Sequence, residues 1–451
     1  MTGKELIRKF ASPEGEPVFE TLYGENGITE ARRRYTALVE GFLGGFPPGD
    51  FPETAGDLRL FTAAGRTELG GNHTDHNRGK VLAASIQLDS VAVAAPREDM
   101  RVVFRSTGYP DVTVDLSCLE ALPAEAGTTE ALVRGVAAEL TRRGTPVRGF
   151  TAHADSTVFP GSGLSSSAAL EVLLARIFDA FYGGGKRQAL EIAQIGQVAE
   201  NRYFGKPSGL MDQIACASGG AAAIDFADND APRIQRLSFD PMAAGYNLCV
   251  VNTRGSHADL TPDYAAIPEE MKAVAAFFGK RFLRETSLEK VLSGGTELRK
   301  AVGDRAILRA IHFFEENQRL DAMVDALRAV ETVADPWEKQ GDMARFLALV
   351  NQSGDSSWEL LQNVCSARRD GEQSLGLALT ITRNFLRGNS VYRGAFNGAC
   401  RVHGGGFAGT IQAYVPLGDL DAYRTRIEGL FGPGAVTVLF IRPVGAEELI
   451  F

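Results

Sequence analysis

Eight residues, G-G-N-H-T-D-H-N at positions 70–77, hold two histidines, an aspartate and two asparagines. His73, Asp75 and His76 fall within four positions, and imidazole with carboxylate is a donor set for zinc or iron. No second cluster supplies a fourth ligand, since His153, His257, His312 and His403 stand alone in the sequence. The same side chains offer donors and acceptors at fixed positions, which suits a loop binding a hydroxyl-rich ligand. A solvated turn is the third reading.

A second stretch, F-P-G-S-G-L-S-S-S-A-A-L-E-V-L-L-A-R (159–176), sets glycines at 161 and 163 before Ser165, Ser166 and Ser167. Glycine lets backbone approach a ligand, and the helix opening at the serines has unpaired N–H groups and a dipole that attract phosphate. Three hydroxyls exceed what a helix cap needs. No lysine follows the glycines, so the loop is not a Walker A loop, and the charge has to come from a metal or an arginine elsewhere. That points to magnesium held by a serine hydroxyl and a carboxylate. A third stretch, V-H-G-G-G-F-A-G-T-I-Q-A-Y-V (402–415), puts four glycines in six positions before a strand. Close approach of a ligand or of another backbone explains that density, with a flexible loop or bulge as the alternative.

Positions 28–43 carry apolar side chains at helical spacing, and G-G-F-P-P-G-D-F-P (44–52) is a stop and linker. From about 58 to 158 the pattern turns to strands, interrupted by one helix near 129–143. Two helices are expected between Ser165 and Phe204, strands at about 220–252, and mostly helices from 264 to 398. A strand, a helix and a strand follow the last glycine run. This order argues an α+β fold rather than a doubly wound parallel sheet. Two domains are expected, residues 1–240 and 241–451, the second with a helical region at about 270–345 to which no role attaches.

Lys and Arg number 47 against 56 Asp and Glu in 451 residues, a formal charge of -9. With no long basic run, a nucleic-acid surface is not expected, although a local cationic pocket for phosphate remains open. Five scattered cysteines without C-x-x-C spacing suit a reducing cytoplasm. Neither a signal-peptide core nor an apolar run of about 18 residues is present, so no membrane association is expected.

Together the three glycine-rich stretches resemble the signatures of the GHMP small-molecule kinases, and the first resembles the galactokinase branch. Galactokinases carry a pattern close to G-R-V-N-L-I-G-E-H-T-D-Y-N-x-G; this chain reads G-R-T-E-L-G-G-N-H-T-D-H-N-R-G from Gly65 to Gly79. G-L-S-S-S-A stands at 163–168, G-L-M-D-Q at 209–213 and G-G-G-F-A-G at 404–409, and Asn252, His257 and Tyr264 fit the spacing before the family's sugar-contacting tyrosine. The resemblance implies the two-domain GHMP kinase fold, a ribosomal-S5-like N-terminal domain and a ferredoxin-like C-terminal one, with the active site between them. It implies transfer of the γ-phosphoryl group of ATP to the anomeric hydroxyl of a sugar. Gly161, Ser162, Gly163, Leu164, Ser165, Ser166 and Ser167 would wrap the phosphates, and Ser166 and Glu200 would hold Mg2+. Asn72, His73, Asp75, Gly209 and Tyr264 would contact the sugar. Asp212 would face the anomeric hydroxyl beside Arg66, either as a base or as part of a pair that orients the hydroxyl and stabilises charge.

Asn72 stands where galactokinases have a glutamate that meets the hydroxyl at C6, His76 where they have tyrosine, and Glu68 where asparagine is usual. Loss of the negative charge at 72 lifts a repulsion of about 1 to 4 kcal/mol against a C6 carboxylate. Galactose is the expected substrate, with galacturonate or another aldose as alternatives. Some galactokinase relatives sense sugar and ATP without transferring phosphate; the best known lacks a Ser-Ala pair that this chain keeps at Ser167-Ala168, so an enzyme is expected. No partner is expected beyond sugar and ATP, the chain being a monomer or weak homodimer.

Overall fold

The apolar runs between 58 and 158 form the centre of the molecule, whose computed structural model describes residues 1–46, 58–158, 163–256, 260–369, 371–388 and 397–451. β1 (Arg59–Gly70) and β2 (Lys80–Pro96) pair antiparallel and are buried along most of their length. Burial on both faces explains why they read as near-continuous apolar runs rather than strict alternation. β3 (Arg101–Ser106), β4 (Val112–Asp115) and β5 (Phe150–Ser156) continue the sheet from one half of β2, while β6 (Ala221–Asp225) and β7 (Arg233–Leu237) continue it from the other.

Alternate residues of this sheet feed different clusters, because successive side chains point to opposite faces. Phe61, Ala63, Ala92 and Ala94 pack with the helices Thr129–Arg142, Ser166–Phe178, Ala189–Val198 and Met211–Ser218. Leu60, Val91 and Val93 pack with the N-terminal helices Gly3–Ala11, Glu16–Tyr23 and Ile28–Gly45. The linker read at 44–52 lies outside the described residues from position 47 onward.

A second, antiparallel sheet takes β8 (Tyr246–Asn252), β9 (Ala399–His403), β10 (Thr410–Pro416) and β11 (Val436–Leu439) in the order β11-β8-β10-β9. Ser374–Arg387 and Leu420–Phe431 cover it. The chain then returns: β12 (Glu447–Leu449) pairs with β1 in the first sheet. The molecule is therefore α+β with two sheet-centred halves, as the alternation of strand and helix patterns predicts.

Between β8 and β9 the chain is helical, and its longest helix, Asp304–Thr332, joins the halves. Leu320, Met323 and Leu327 enter the core under the first sheet, while Ala306, Ala310 and Phe313 pack in a separate helical cluster. The region to which the sequence attached no role is thus a wall behind the loop at 70–77. β1 itself is irregular at Ala64/Gly65 and at Glu68/Gly70. Bulges of this kind re-aim the side chains beside them, and Arg66, Thr67 and Glu68 are the polar side chains set between these breaks.

Candidate functional site

At the first break, Arg66 meets Asp212 from the helix Met211–Ser218. Its Nε donates to Oδ1 at 2.8 Å and its Nη2 to Oδ2 at 3.0 Å, a two-pronged pair that fixes the plane of the carboxylate. Arg66 Nη1 also donates to the Gly163 carbonyl. Ser165 Oγ donates to Asp212 Oδ2 at 2.5 Å, from a residue held in the left-handed region at φ 61°. A non-glycine residue there is uncommon and persists where surrounding contacts hold it. Leu164 is buried, and its carbonyl accepts the Arg66 backbone N–H at 3.2 Å. Gly161 and Ser162 lie outside the described residues. Burial pushes the Asp212 carboxyl upward, but the Arg66 charge and the bonds from Arg66 and Ser165 outweigh it, so the group sits below its usual range and stays ionised near neutral pH.

Two residues on from Ser165, Ser167 Oγ donates to Glu200 Oε1 at 3.0 Å. The sequence resemblance pairs Ser166 with Glu200 as metal ligands; Ser166, the preceding residue, starts the same helix. Glu200 is only 2% exposed, and it also receives Lys206 Nζ at 2.6 Å on Oε1 and Gln213 Nε2 at 3.0 Å on Oε2. Gln213 shares its amide with Glu171, a buried carboxyl that burial and the Glu200 charge push well above its usual range. Carboxylate and hydroxyl oxygens are the donors magnesium takes, with phosphate and water completing its shell. Two further buried oxygens here, Glu171 Oε1 and Gln213 Oε1, have no hydrogen-bond partner among the described residues. The residues therefore fit such an ion.

The loop at 70–77 forms a different corner. Asn72 is fully buried, and its Nδ2 donates to Glu68 Oε1 at 3.1 Å and to the Gly404 carbonyl at 2.8 Å, while its Oδ1 accepts from Asn363 Nδ2 at 2.7 Å. An amide committed in this way has no donor left for a ligand, whereas the sequence resemblance implies that Asn72 contacts the sugar. His73 (φ 58°) sends Nε2 to the Gly405 carbonyl at 2.9 Å, which leaves that nitrogen no lone pair for a metal. Burial, then the neighbouring His76 charge, lower its pKa to about 4. Asp75 lies against Gly209, where a Cβ would collide with Asp75 Oδ2, so the glycine of G-L-M-D-Q is what lets the two loops meet. Tyr264 donates its hydroxyl to the Gly406 carbonyl at 2.9 Å and stacks edge-on against Phe407. Asn252 accepts the Arg254 N–H at 2.9 Å, and His257 lies outside the described residues.

Behind this corner stand residues of which the sequence singled out only Glu68. Glu68 pairs with Arg401 at 2.6 Å, with both side chains almost fully buried. His403 accepts the Glu68 N–H at 3.3 Å on Nε2 and therefore presents Nδ1–H to Thr410 Oγ1 at 3.0 Å. His312 donates Nε2–H to the Asn72 carbonyl at 2.9 Å, and Glu316 accepts the Gly71 N–H at 3.1 Å.

Residues 131–220 match the family described as GHMP kinases N terminal domain, and residues 50–96 match the galactokinase galactose-binding signature. A galactokinase of Actinobacillus pleuropneumoniae serotype 5b (strain L20) is 31% identical over 369 residues, 81% of this chain and 87% of its own. One from Glaesserella parasuis serovar 5 (strain SH0165) is 30% identical over the same shares. This chain belongs to the galactokinase family. The structure of Lactococcus lactis galactokinase complexed with galactose matches it at a TM-score of 0.75 and 25% identity, covering 92% of this chain and 100% of that one. Methanococcus jannaschii mevalonate kinase shares the fold, with a TM-score of 0.58 at 13% identity over 86% and 99% of the two chains.

As a galactokinase relative the chain is a sugar kinase, a phosphotransferase. No described helix is long and apolar enough to cross a membrane. The sugar kinase's second layer left one signal in the sequence, Glu68 in place of the usual asparagine, which marks the partner that Arg401 requires. Arg401, Asn363 and His312 lie on segments that no motif reaches.

Proposed function

We propose that this sugar kinase transfers the γ-phosphoryl group of ATP to the anomeric hydroxyl of galactose in a cytoplasmic, Mg2+-dependent reaction. The supporting observation is the Arg66–Asp212 pair joined to the phosphate loop through Ser165 and Gly163, which sets an ionised carboxylate beside the helix terminus where phosphates would lie.

In this reading Gly161 to Ser167 cradle the phosphates and the free N–H groups of the helix starting at Ser166 face them. Glu200 with Ser167 holds the metal, which supplies charge neutralisation on the phosphate oxygens. Asp212 accepts a hydrogen bond from the anomeric hydroxyl and aims its oxygen at phosphorus. A carboxylate this well paired is a weak base, so the proton passes to Asp212 only after the O–P bond has largely formed, as a loose transition state permits. Arg66 holds the plane of that carboxylate and offsets negative charge. His73, Asp75, Gly209 and Tyr264 shape the sugar side, and Asn72 acts indirectly by fixing the loop. We divide the chain near residue 240, with the reaction between the halves.

Galacturonate is the weaker substrate in this reading, because both Asn72 donors are spent on Glu68 and Gly404 and none is free for a carboxylate. Coupled ADP release across galactose, glucose, N-acetylgalactosamine and galacturonate, with and without Mg2+, tests the proposal. Galactose should give the highest kcat/KM, and no ADP release above background with galactose would overturn it.

A further inference from the structure

The phosphate loop has no lysine in its own segment, yet the fold delivers one. Helix Ala189–Val198 continues as a wider turn through Ala199–Phe204, and the Gly205 and Lys206 backbone N–H groups both close on the Glu200 carbonyl, at 3.0 and 3.1 Å. That turn, made possible by Gly205 at φ 86°, folds the chain back so that the Lys206 side chain lies over the carboxylate six residues before it.

Glu200 and Lys206 are unequal partners. The Glu200 side chain is 2% exposed and that of Lys206 57%. A carboxylate so enclosed needs a cation beside it, because an uncompensated buried charge is strongly unfavourable. The half-exposed lysine loses little by leaving, since its ammonium can be rehydrated at once. Oε1 of Glu200 is shared by Lys206 and Ser167, and Oε2 is engaged by Gln213, so a metal ion on Oε1 requires Lys206 to move.

We propose that Lys206 is an exchangeable counterion and a nucleotide-phosphate ligand. It neutralises Glu200 in the ligand-free protein, releases that oxygen when Glu200 engages the metal, and turns its ammonium to the phosphate oxygens held at the helix beginning with Ser166. The inference rests on the nucleotide site proposed above and adds a residue to it. It supplies from a distant segment the cation missing after the glycines.

The test is calorimetric binding of a non-hydrolysable ATP analogue to the intact protein in Mg2+ buffer, for wild type, Lys206→Met and Lys206→Arg, with melting curves as a fold control. Lys206→Met should weaken binding about tenfold, equivalent to about 1.4 kcal/mol, with Lys206→Arg within threefold of wild type. Steady-state KM for ATP should rise with it while KM for sugar stays within twofold. A loss below threefold in Lys206→Met overturns the proposal; a loss of threefold or more that Lys206→Arg recovers sustains it, and one that Lys206→Arg does not recover overturns it. Should wild type phosphorylate no sugar yet bind the analogue with this lysine dependence, the sugar-kinase substrate reading fails and the role of Lys206 stands. If wild type turns over galactose and Lys206→Met binds nucleotide unchanged, only the lysine is wrong.

Discussion

The two corners of the site are built in opposite ways. The phosphate corner draws Arg66, Ser165, Ser167, Glu200 and Asp212 from the first half alone, and each side chain meets its partner directly. The sugar corner is assembled across the molecule: β1 gives Glu68, its loop gives Asn72 and His73, the second sheet gives Arg401 and His403, and the helical region gives His312 and Glu316. Direct charge pairing keeps the first corner's geometry local, so single changes there should affect turnover. The second corner is a buried hydrogen-bonded network in which every member supports the others, so changes there should affect stability along with sugar affinity.

The largest expected effect falls in the first corner. Asp212→Asn should lower kcat by roughly 10^3-fold while nucleotide affinity stays near wild type and the stability loss stays below that of Arg401→Met, because the Asp212 side chain is 33% exposed. A large loss of stability in that variant would erase the contrast between the corners. In the second corner, Arg401→Met leaves Glu68 buried beside no cation within bonding distance and should cost about 3–5 kcal/mol in denaturant unfolding. Retention of wild-type stability would show that the pair is not enclosed as the structure has it. Asn72→Glu sets a second carboxylate about one hydrogen bond from Glu68, and the repulsion should remove about 1–4 kcal/mol of stability rather than simply alter preference at C6. A variant as stable as wild type with a changed sugar profile would mean that position 72 faces the ligand.

Per histidine and per pH unit the effect is smallest, and it is the most diagnostic of where the network sits. Burial lowers the pKa of His73 to about 4 and, with charge from Arg66 and Arg401, drives His403 well below the usual histidine value; His312 is lowered as well, chiefly by burial. Each is neutral when folded and takes up a proton near pH 6.5 when unfolded, so the unfolded state binds more protons below that pH. Their contribution is complete above about pH 6.5 and declines toward pH 4, by up to about 1.4 kcal/mol per histidine per pH unit. Melting temperature should therefore fall steadily from pH 7 to pH 5, and His403→Gln should flatten the curve. A flat wild-type profile would place the histidines in contact with water.

This asymmetry also decides how much of the site could be read from the sequence. Arg66, Ser165, Ser167, Glu200 and Asp212 fall in short segments whose local form is set by glycines and a helix start, so residue type and spacing carried them. That Ser167 rather than Ser166 meets Glu200 was not legible, since which hydroxyl points inward depends on the exact entry angle of the helix. The partners of Asn72 were not legible for a different reason. Its partners at 68, 363 and 404 converge only once the second sheet and the helices after it are in place, and nothing in the spacing of the loop shows that an amide is already committed. The strands and long helices were legible because burial on both faces of β1 and β2 demands apolar runs. The role of Asp304–Thr332 was not, because its apolar side chains divide between two clusters and leave no single stripe.

The return of β12 to β1 makes the second half an insertion between β7 and the last strand of the first sheet. Cutting the chain after the first half would strip β1 of its outer neighbour and uncover Leu60 and Val93, which Leu449 helps to cover. Such a fragment would present a raw hydrogen-bonding edge beside apolar side chains, the usual template for strand-to-strand self-association. The molecule is therefore poorly suited to dissection, and its halves are best studied by substitution within the whole chain.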